Sequence, residues 1–399
     1  MTQKTAIFDA VVVGGGPAGA TAATELAREG LSVVLLDKAG RIKPCGGAIP
    51  PRLIRDFRIP DSQIVARINA ARIVSPTDRE VDMPVECGYV GMVDRDRFDE
   101  WLRDRAATLG AERRTGTFVG LVHEDDGTVT VHYEDKSKTA HRIVARAVIG
   151  ADGARSNVAK SALPNAERVP CVFAYHEIVR SPADVSQARF ASDRCDVYYQ
   201  GRVSPDFYGW VFPHGDQTSI GTGSAHKGFS LRGAVGELRK ASGLDGVKTI
   251  RREGAPIPLK PLRKWDDGRN VVLAGDAAGI VAPASGEGIY YAMLGGQLAA
   301  EAVRDFVFTS NAAELASARR RFMKEHGKVF WILGMMQKFW YTTENRRERF
   351  VSICADPDVQ RLTWEAYTNK RLVRASPLAH ARIFLKDMAH LCGFVAPNH

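Results

Sequence analysis

Apolar runs that alternate with glycine-rich turns divide the start of the chain into predicted strands and helices. Residues 8–13 (FDAVVV) predict a short strand, and the alanine-rich residues 20–30 (ATAATELAREG) predict a helix that stops at its last glycine. Residues 31–37 (LSVVLLD) predict a second strand. A strand, a helix and a strand in this order predict a βαβ unit at the start of an α/β fold.

The turn between the first strand and the helix has a dinucleotide-binding pattern. Gly14, Gly16 and Gly19 form G-x-G-x-x-G, and Asp37 follows 18 positions after the last of them. In this order the glycines permit a tight turn, a close approach of the backbone to a pyrophosphate, and close packing of helix on strand. The helix N-terminus offers N–H groups to the phosphates, and Asp37 is placed to accept hydrogen bonds from the adenosine ribose.

Two later turns place an aspartate beside a glycine at the end of a predicted strand. The segment ARAVIGADGARS contains Asp152 and Gly153, and the segment NVVLAGDAAGIVAP contains Gly275 and Asp276. Taken singly, such turns are more often ordinary hairpin or loop structure. Their order after a dinucleotide-binding unit favours a cofactor site instead.

Arg95 adds a third element, because it precedes the F-D-x-x-L pattern of residues 98–102. With the D-G and G-D turns, this order resembles the FAD-dependent monooxygenase and reductase family. The resemblance implies that FAD is the cofactor and that these motif residues bind it. It places Asp276 at the ribityl chain and Asp152 near the pyrophosphate.

Three further segments narrow the resemblance. They are KPCGGAIPP at 43–51, PDFYGWVFP at 205–213 and SGEGIY at 285–290. Their combination resembles the geranylgeranyl reductases over most of residues 1–310, above all the branch that acts on chlorophyll or bacteriochlorophyll. It implies FAD- and NADPH-dependent saturation of three double bonds of a geranylgeranyl chain, converting geranylgeranyl-bacteriochlorophyll to the phytyl form; geranylgeranyl diphosphate is the other candidate substrate.

The resemblance also implies an α/β fold, α+β overall, with a Rossmann-like FAD-binding domain of the p-hydroxybenzoate hydroxylase type. We expect the FAD-binding domain in residues 1–75, 90–165 and 255–310, an antiparallel-sheet substrate domain in 76–89 and 166–254, and a helical C-terminal region in 311–399.

The aromatic residues of PDFYGWVFP have two interpretations. Tyr208, Trp210 and Phe212 alternate along a predicted strand and therefore share one face. They are either half-buried core residues or, as the resemblance implies, the aromatic wall of a prenyl pocket above the flavin. In the second case Tyr208 and Trp210 belong to the catalytic site, with Tyr208 as a candidate proton donor.

The two glycine-containing segments also leave alternatives open. Gly286 and Gly288 lie at a predicted helix start, where their N–H groups would face the flavin N1–O2 edge or serve packing alone. Cys45 lies in a turn stiffened by prolines and either fills a small apolar gap or, as the resemblance implies, donates a proton near the flavin ring.

The C-terminal region contains the aromatic run 328–341 (KVFWILGMMQKFWY) between clusters of arginine. It is too short to span a bilayer. We expect either an interfacial helix at a membrane surface or a core helix that closes the substrate tunnel.

Composition and charge narrow the function less than the motifs do. A net charge of +9 suits an anionic partner such as a diphosphate or a membrane surface. Six cysteines without metal-ligand spacing predict a reducing cytoplasm and no metal site. We expect peripheral association with the photosynthetic membrane, transient docking of NADPH with ferredoxin as an alternative donor, and no nucleic-acid binding.

Other functions stay open. A flavin monooxygenase, or an archaeal-type lipid or quinone reductase, would use the same fold. A prenyl-binding escort protein without redox chemistry belongs to a different class, and the intact Gly14, Gly16, Gly19, Asp37 and Asp276 argue against it.

Overall fold

The structure, a computed structural model, describes residues 6–38, 40, 42–86, 88–166, 169–182 and 189–370. Its strands are β1 Ile7–Val13, β2 Val33–Asp37, β3 Ala48–Ile49, β4 Ala66–Ile68, β5 Ala70–Val74, β6 Glu80–Pro84, β7 Val90–Met92, β8 Glu112–Thr115, β9 Thr117–His123, β10 Val129–Glu134, β11 Ala140–Gly150, β12 Cys171–Arg180, β13 Arg194–Tyr198, β14 Gly209–His214, β15 Gln217–Ser224, β16 Thr249–Pro258 and β17 Val271–Leu273. Its α-helices are α1 Pro17–Arg28, α2 Pro51–Asp56, α3 Arg95–Thr108, α4 Asn157–Ala162, α5 Leu231–Ala241, α6 Ile289–Thr309, α7 Ser317–Trp340, α8 Glu344–Ile353 and α9 Pro357–Asn369.

The described residues form two compact units. The first lies within residues 1–42, 96–171 and 256–330, and the second within residues 43–95, 172–255 and 331–399. Residues 43–75 and 90–95, which we expected in the FAD-binding domain, belong to the second unit in this division.

The first unit contains a seven-stranded sheet in the order β8-β2-β1-β11-β10-β9, with β17 paired to β11. The strands β8, β2, β1, β11 and β17 pair in parallel, whereas β10 and β9 continue the sheet antiparallel. Residues 10–13 of β1 and 33–36 of β2 are buried without alternation, as is typical of parallel strands that are covered on both faces. The predicted βαβ unit is confirmed.

Helices α1 and α6 pack against each other in this unit. A Cβ atom on Gly296 of α6 would meet the backbone of Ala18 in α1. Because glycine lacks that atom, α6 lies against the first turn of α1, next to the glycine-rich turn. This packing joins the first motif of the chain to the helix that begins within SGEGIY.

The second unit contains a seven-stranded sheet in the order β16-β12-β15-β14-β13-β5-β6 and a three-stranded sheet in the order β3-β7-β4. The pairs formed by β12, β15, β14 and β13 are antiparallel, but β13 and β5 are parallel. The sheet is therefore mixed, not purely antiparallel as expected. Its core includes Val235 and Leu238 of α5 with Val211 and Ile220 of the sheet.

The C-terminal region is mainly helical from residue 312 to residue 369, as predicted, and residues 371–399 of the predicted region lie outside the described residues. Arg347 of α8 is buried and donates hydrogen bonds to the backbone carbonyls of Tyr341 and Pro205, while Glu344 accepts one from Gly201 N at 2.8 Å. These contacts fix α8 beside the loop that leads to β14. Within the described part of the chain, no helix is long and apolar enough to cross a membrane.

Candidate functional site

The glycine-rich turn has the geometry that a close phosphate approach requires. Gly14 has a φ of +106°, and a Cβ atom there would overlap the Ala151 carbonyl. A Cβ on Gly19 would overlap the carbonyl of Gly14. The position of a Cβ on Gly16, by contrast, has no atom within 4 Å. The turn is thus closed toward the protein and open on the side of Gly16, at the N-terminus of α1.

Asp37 lies at the end of β2, and its Oδ2 accepts a hydrogen bond from Gly15 N at 2.6 Å. Arg103 of α3 reaches the same turn, because its Nη1 donates to the carbonyl of Gly15 at 3.1 Å. A small pocket opens beside them. Its lining residues are Leu35, Asp37, Gly40, Glu100, Arg103, Arg113, Arg114 and Thr115.

Sequence reasoning missed the charged part of this pocket. Glu100 pairs with Arg113 at 2.7 Å and with Arg103 at 2.6 Å, and these hydrogen bonds, that from Arg113 foremost, lower the pKa of the Glu100 carboxyl. The only sequence signal was the run of alternating charges around F-D-x-x-L, which is equally typical of a solvated helix face.

Asp152 and Gly153 follow β11. The Asp152 carboxylate accepts hydrogen bonds from the Ser156 hydroxyl and from Asn157 N at 2.7 Å, at the start of α4. Burial raises the pKa of Asp152, while these hydrogen bonds favour its charged form. Gly153 has a φ of +89° with open space around its Cβ position. Asp152 therefore holds the turn together, which is how it could support a neighbouring pyrophosphate.

Gly275 and Asp276 form the start of a tight turn directly after β17. Gly275 has a φ of +61°, and a Cβ there would lie 2.7 Å from Ala18 Cβ in α1. The Asp276 side chain is buried. Burial of the Cys171 thiol raises the pKa of that thiol, and the negative charge of Asp276 raises it further. The structure thus brings the G-D turn to the start of α1, because β1 and β17 lie on either side of β11 and run parallel to it.

Helix α6 begins within SGEGIY, as predicted, with Gly288 as its N-cap and Ile289 as its first residue. The N–H group of Gly286, however, donates to the carbonyl of Ala282 at 2.9 Å. The expectation that this N–H faces the flavin is therefore wrong in this structure, since the turn before the helix uses it. Arg95, the first residue of α3, is buried and lies in the second unit.

The aromatic residues of the second unit form a continuous group. Trp210 and Phe212 lie on β14 with ring centroids 6.4 Å apart, and Tyr208 precedes the strand with its ring 6.1 Å from Trp210. Tyr208 and Trp210 are buried, whereas Phe212 is partly exposed. The predicted strand therefore starts one residue later than Tyr208, but the three rings follow one another as expected.

The Cys45 loop lies on this aromatic strand. A Cβ on Gly46 would lie 2.8 Å from the Phe212 ring and 3.9 Å from Trp210 Nε1. Cys45 is partly exposed, and its Sγ accepts a hydrogen bond from Gly47 N at 3.4 Å. Two segments that are far apart in sequence, the cysteine loop and the aromatic strand, therefore form one surface.

Two buried histidines behind this surface were not predicted as functional. His214 ends β14 and contacts the Cys45 loop, and His176 of β12 links Ser219 to Glu253. In the described residues no group of His, Cys, Asp and Glu could hold a metal ion.

The aromatic run of the C-terminal region is amphipathic. Phe330 and Trp340 of α7 are buried, but Trp331 and Met335 are 69% and 51% exposed. These two residues are four positions apart and share a face of the helix. The helix α7 therefore has a buried apolar face and an exposed apolar face.

Comparison with known proteins agrees with these motifs. Residues 8–299 match the FAD binding domain family. The geranylgeranyl diphosphate reductase of Rhodobacter capsulatus is 57% identical over 391 residues, which cover 98% of this chain and 99% of that protein. The geranylgeranyl diphosphate reductase of Synechocystis is 35% identical over 96% of this chain and 98% of its own length.

A solved structure gives the fold relationship. A geranylgeranyl bacteriochlorophyll reductase-like protein from Thermoplasma acidophilum superposes with a TM-score of 0.81 at 22% identity, over 96% of this chain and 100% of the other. At that identity the likeness shows the shared fold. From the family match and the full-length relatives, the chain belongs to the geranylgeranyl reductase family of FAD-binding oxidoreductases.

Proposed function

We propose that this protein uses FAD and NADPH to saturate three double bonds of a geranylgeranyl chain, converting geranylgeranyl-bacteriochlorophyll to its phytyl form. The observation that supports this most strongly is the 57% identity over nearly the full length to a geranylgeranyl diphosphate reductase. Because that relative is named for geranylgeranyl diphosphate, the free diphosphate is the alternative substrate of the same reaction.

The chemistry sets what the residues must do. An isolated trisubstituted alkene has no conjugated carbonyl to accept the developing charge, so a hydride and a proton must reach its two carbons together. Reduced FAD, when bound, supplies the hydride from N5. The chain must therefore hold the cofactor, keep water away from the alkene, and supply the proton.

We assign cofactor binding to the first unit and to Arg95. The open side of Gly16 at the α1 N-terminus suits the pyrophosphate, and the pocket beside Asp37 suits the adenosine. The remaining residues proposed to hold FAD are Gly14, Gly19, Asp152, Gly153, Gly275, Asp276, Gly286 and Gly288. For Gly286 the proposal is limited to its φ of +62°, which shapes the turn, because its N–H is already bonded.

Substrate contact is assigned to the surface formed by the Cys45 loop and the aromatic strand. Trp210 and Phe212 offer flat apolar faces to an isoprenoid chain. Cys45 and Tyr208 are the candidate proton donors on that surface, and the partial exposure of Cys45 makes it the more accessible of the two.

The proposals for the electron donor and for the location of the protein rest on its net charge and its exposed apolar residues, not on a defined binding site. The net charge of +9 suits NADPH or an acidic ferredoxin. We also propose that the protein is cytoplasmic and contacts the photosynthetic membrane peripherally, where a prenylated pigment would be found. The exposed Trp331 and Met335 support this contact.

One experiment separates the substrates and the other functions. Purified yellow protein is mixed anaerobically with NADPH and either geranylgeranylated bacteriochlorophyll or geranylgeranyl diphosphate, and product masses are followed. Gains of two, four and six hydrogens on the pigment support the proposal. If only the diphosphate gains hydrogens, the substrate is geranylgeranyl diphosphate and not the pigment.

Two outcomes would change the function itself. A hydroxylated product with oxygen consumption in aerated buffer would indicate a monooxygenase. A colourless protein that binds prenyl chains without flavin would indicate an escort protein.

A further inference from the structure

The Cys45 loop is held by a histidine that the proposed chemistry does not use. His214, the last residue of β14, is buried, and its Nε2 lies 3.0 Å from the carbonyl oxygen of Gly46. On the other side of the ring, Nδ1 lies 2.9 Å from Asp94 Oδ1. The imidazole therefore connects the loop to the segment that follows β7.

Both atoms that face the ring are acceptors. A carbonyl oxygen and a carboxylate oxygen have no proton to give, so a ring that carries both of its protons donates to each of them. The bond to Asp94 orients the ring, and the bond from Nε2 then points at Gly46.

Packing reinforces these hydrogen bonds. A Cβ atom on Gly47 would overlap the His214 ring, and one on Gly46 would lie 2.8 Å from the Phe212 ring. Phe212 and His214 are two positions apart on β14 and share its face. The loop thus rests on two successive side chains of the strand, while Val93 N holds the Gly47 carbonyl at 2.9 Å.

We propose that His214 is a positioning residue that fixes the Cys45–Gly47 loop on β14 and thereby sets the place of the Cys45 thiol. The effect on alkene reduction rests on the proposed function. The effect on the loop itself does not, because it concerns only the position of Gly46 and its neighbours.

A matched set of variants tests the Nε2 bond. The amide nitrogen of glutamine in His214→Gln occupies nearly the position of Nε2, whereas that of asparagine in His214→Asn occupies nearly that of Nδ1. His214→Phe keeps a ring and removes both donors. His226→Phe changes an exposed histidine two residues after β15 and serves as the control.

The readout is the rate at which N-ethylmaleimide alkylates Cys45 in flavin-loaded protein, measured by peptide mass spectrometry with Cys171 as the internal reference. Loss of a hydrogen bond to a buried ring should raise the Cys45 rate about tenfold in His214→Asn and His214→Phe. His214→Gln should stay within about threefold of the wild type, since it keeps the donor to Gly46. The kcat for alkene reduction should fall in the same order, with flavin content unchanged.

Equal Cys45 rates in the Asn and Gln variants, whether raised or not, would overturn the proposal. If the Asn and Phe variants fail to fold, the ¹⁵N chemical shift of His214 in the wild type decides, because Nε2 must carry a proton. An unprotonated Nε2 contradicts the proposed bond. Alkylation needs no prenyl substrate, so the two proposals can fail separately. The loop test can fail while the wild type still reduces geranylgeranyl chains, and it can succeed in a protein that does not reduce them.

Discussion

Trp210 and His176 share one hydroxyl group. The indole Nε1 of Trp210 donates to Ser219 Oγ at 3.1 Å, and the same oxygen lies 3.0 Å from Nδ1 of His176. The other ring nitrogen of His176 lies 2.7 Å from Glu253 Oε2. All four groups are satisfied when each donates to the next, so the indole is held at the end of a largely buried chain of hydrogen bonds.

The first prediction concerns this chain. Ser219→Ala leaves the buried indole N–H without its acceptor and should lower the free energy of unfolding by about 1–3 kcal/mol. A less fixed indole should also raise the KM for the prenyl substrate while flavin content stays normal. Trp210→Ala should weaken prenyl substrate use further.

Thr218→Val is the matched control, because Thr218 is buried next to Ser219 in the chain but bonds Ser181 at 2.9 Å. It should lower stability without changing KM. Loss of flavin together with the fold in Trp210→Ala would count against a pocket role for the aromatic strand.

The second prediction concerns the proton donor. If the Cys45 thiol donates the proton, Cys45→Ser and Cys45→Ala should reduce the flavin normally with NADPH but lose about 10²–10⁴-fold in alkene reduction. Cys354→Ala, which removes a buried thiol at the end of α8, is the control. Full activity in Cys45→Ala would leave this cysteine a packing role and point to Tyr208.

The third prediction concerns the loop backbone. Gly47 has a φ of +74°, and a Cβ there would also overlap the His214 ring and the Val93 carbonyl. Gly47→Ala should therefore cost about 2–5 kcal/mol in the free energy of unfolding, from the left-handed backbone and the overlap together.

Gly88→Ala separates the two causes. Gly88 has a φ of +83° but open space at its Cβ position, so this variant should cost only about 1–2 kcal/mol. Urea unfolding of both variants measures the difference, and equal costs would show that the loop yields to the added methyl group.

The fourth prediction concerns α7. Replacing the exposed Trp331 and Met335 by glutamine should reduce flotation with anionic liposomes by about tenfold or more, because both apolar side chains are already presented to solvent. Trp340 is left in place, since it is buried and its loss would damage the core.

Phe308→Gln is the control for that experiment, because Phe308 is 68% exposed on a different helix, α6. Unchanged flotation of the α7 variant, or an equal loss in the Phe308 variant, would contradict a specific interfacial role for α7.

The features that could be predicted are those encoded within a few consecutive residues. The turn that joins β1 to α1, the acid at the end of β2 and the start of α6 within SGEGIY all follow from local backbone preference and hydrophobic period. The features that were missed are not recorded in the local sequence. Neither the sequence of β5 nor that of β13 could show that these two strands pair in parallel, and SGEGIY alone could not show that the Gly286 N–H donates to the Ala282 carbonyl.

The sequence by itself determined the family, the cofactor and the βαβ start, because each depends on residue types at short, fixed spacings. Only the tertiary structure placed Gly46 on Phe212, and His214 against Gly46 across 168 residues of chain. Such pairs are set by the order of strands in the sheet and by the space between side chains. No spacing along the chain records either quantity, which is why a cysteine loop and a histidine that lie far apart in sequence were brought together only by the fold.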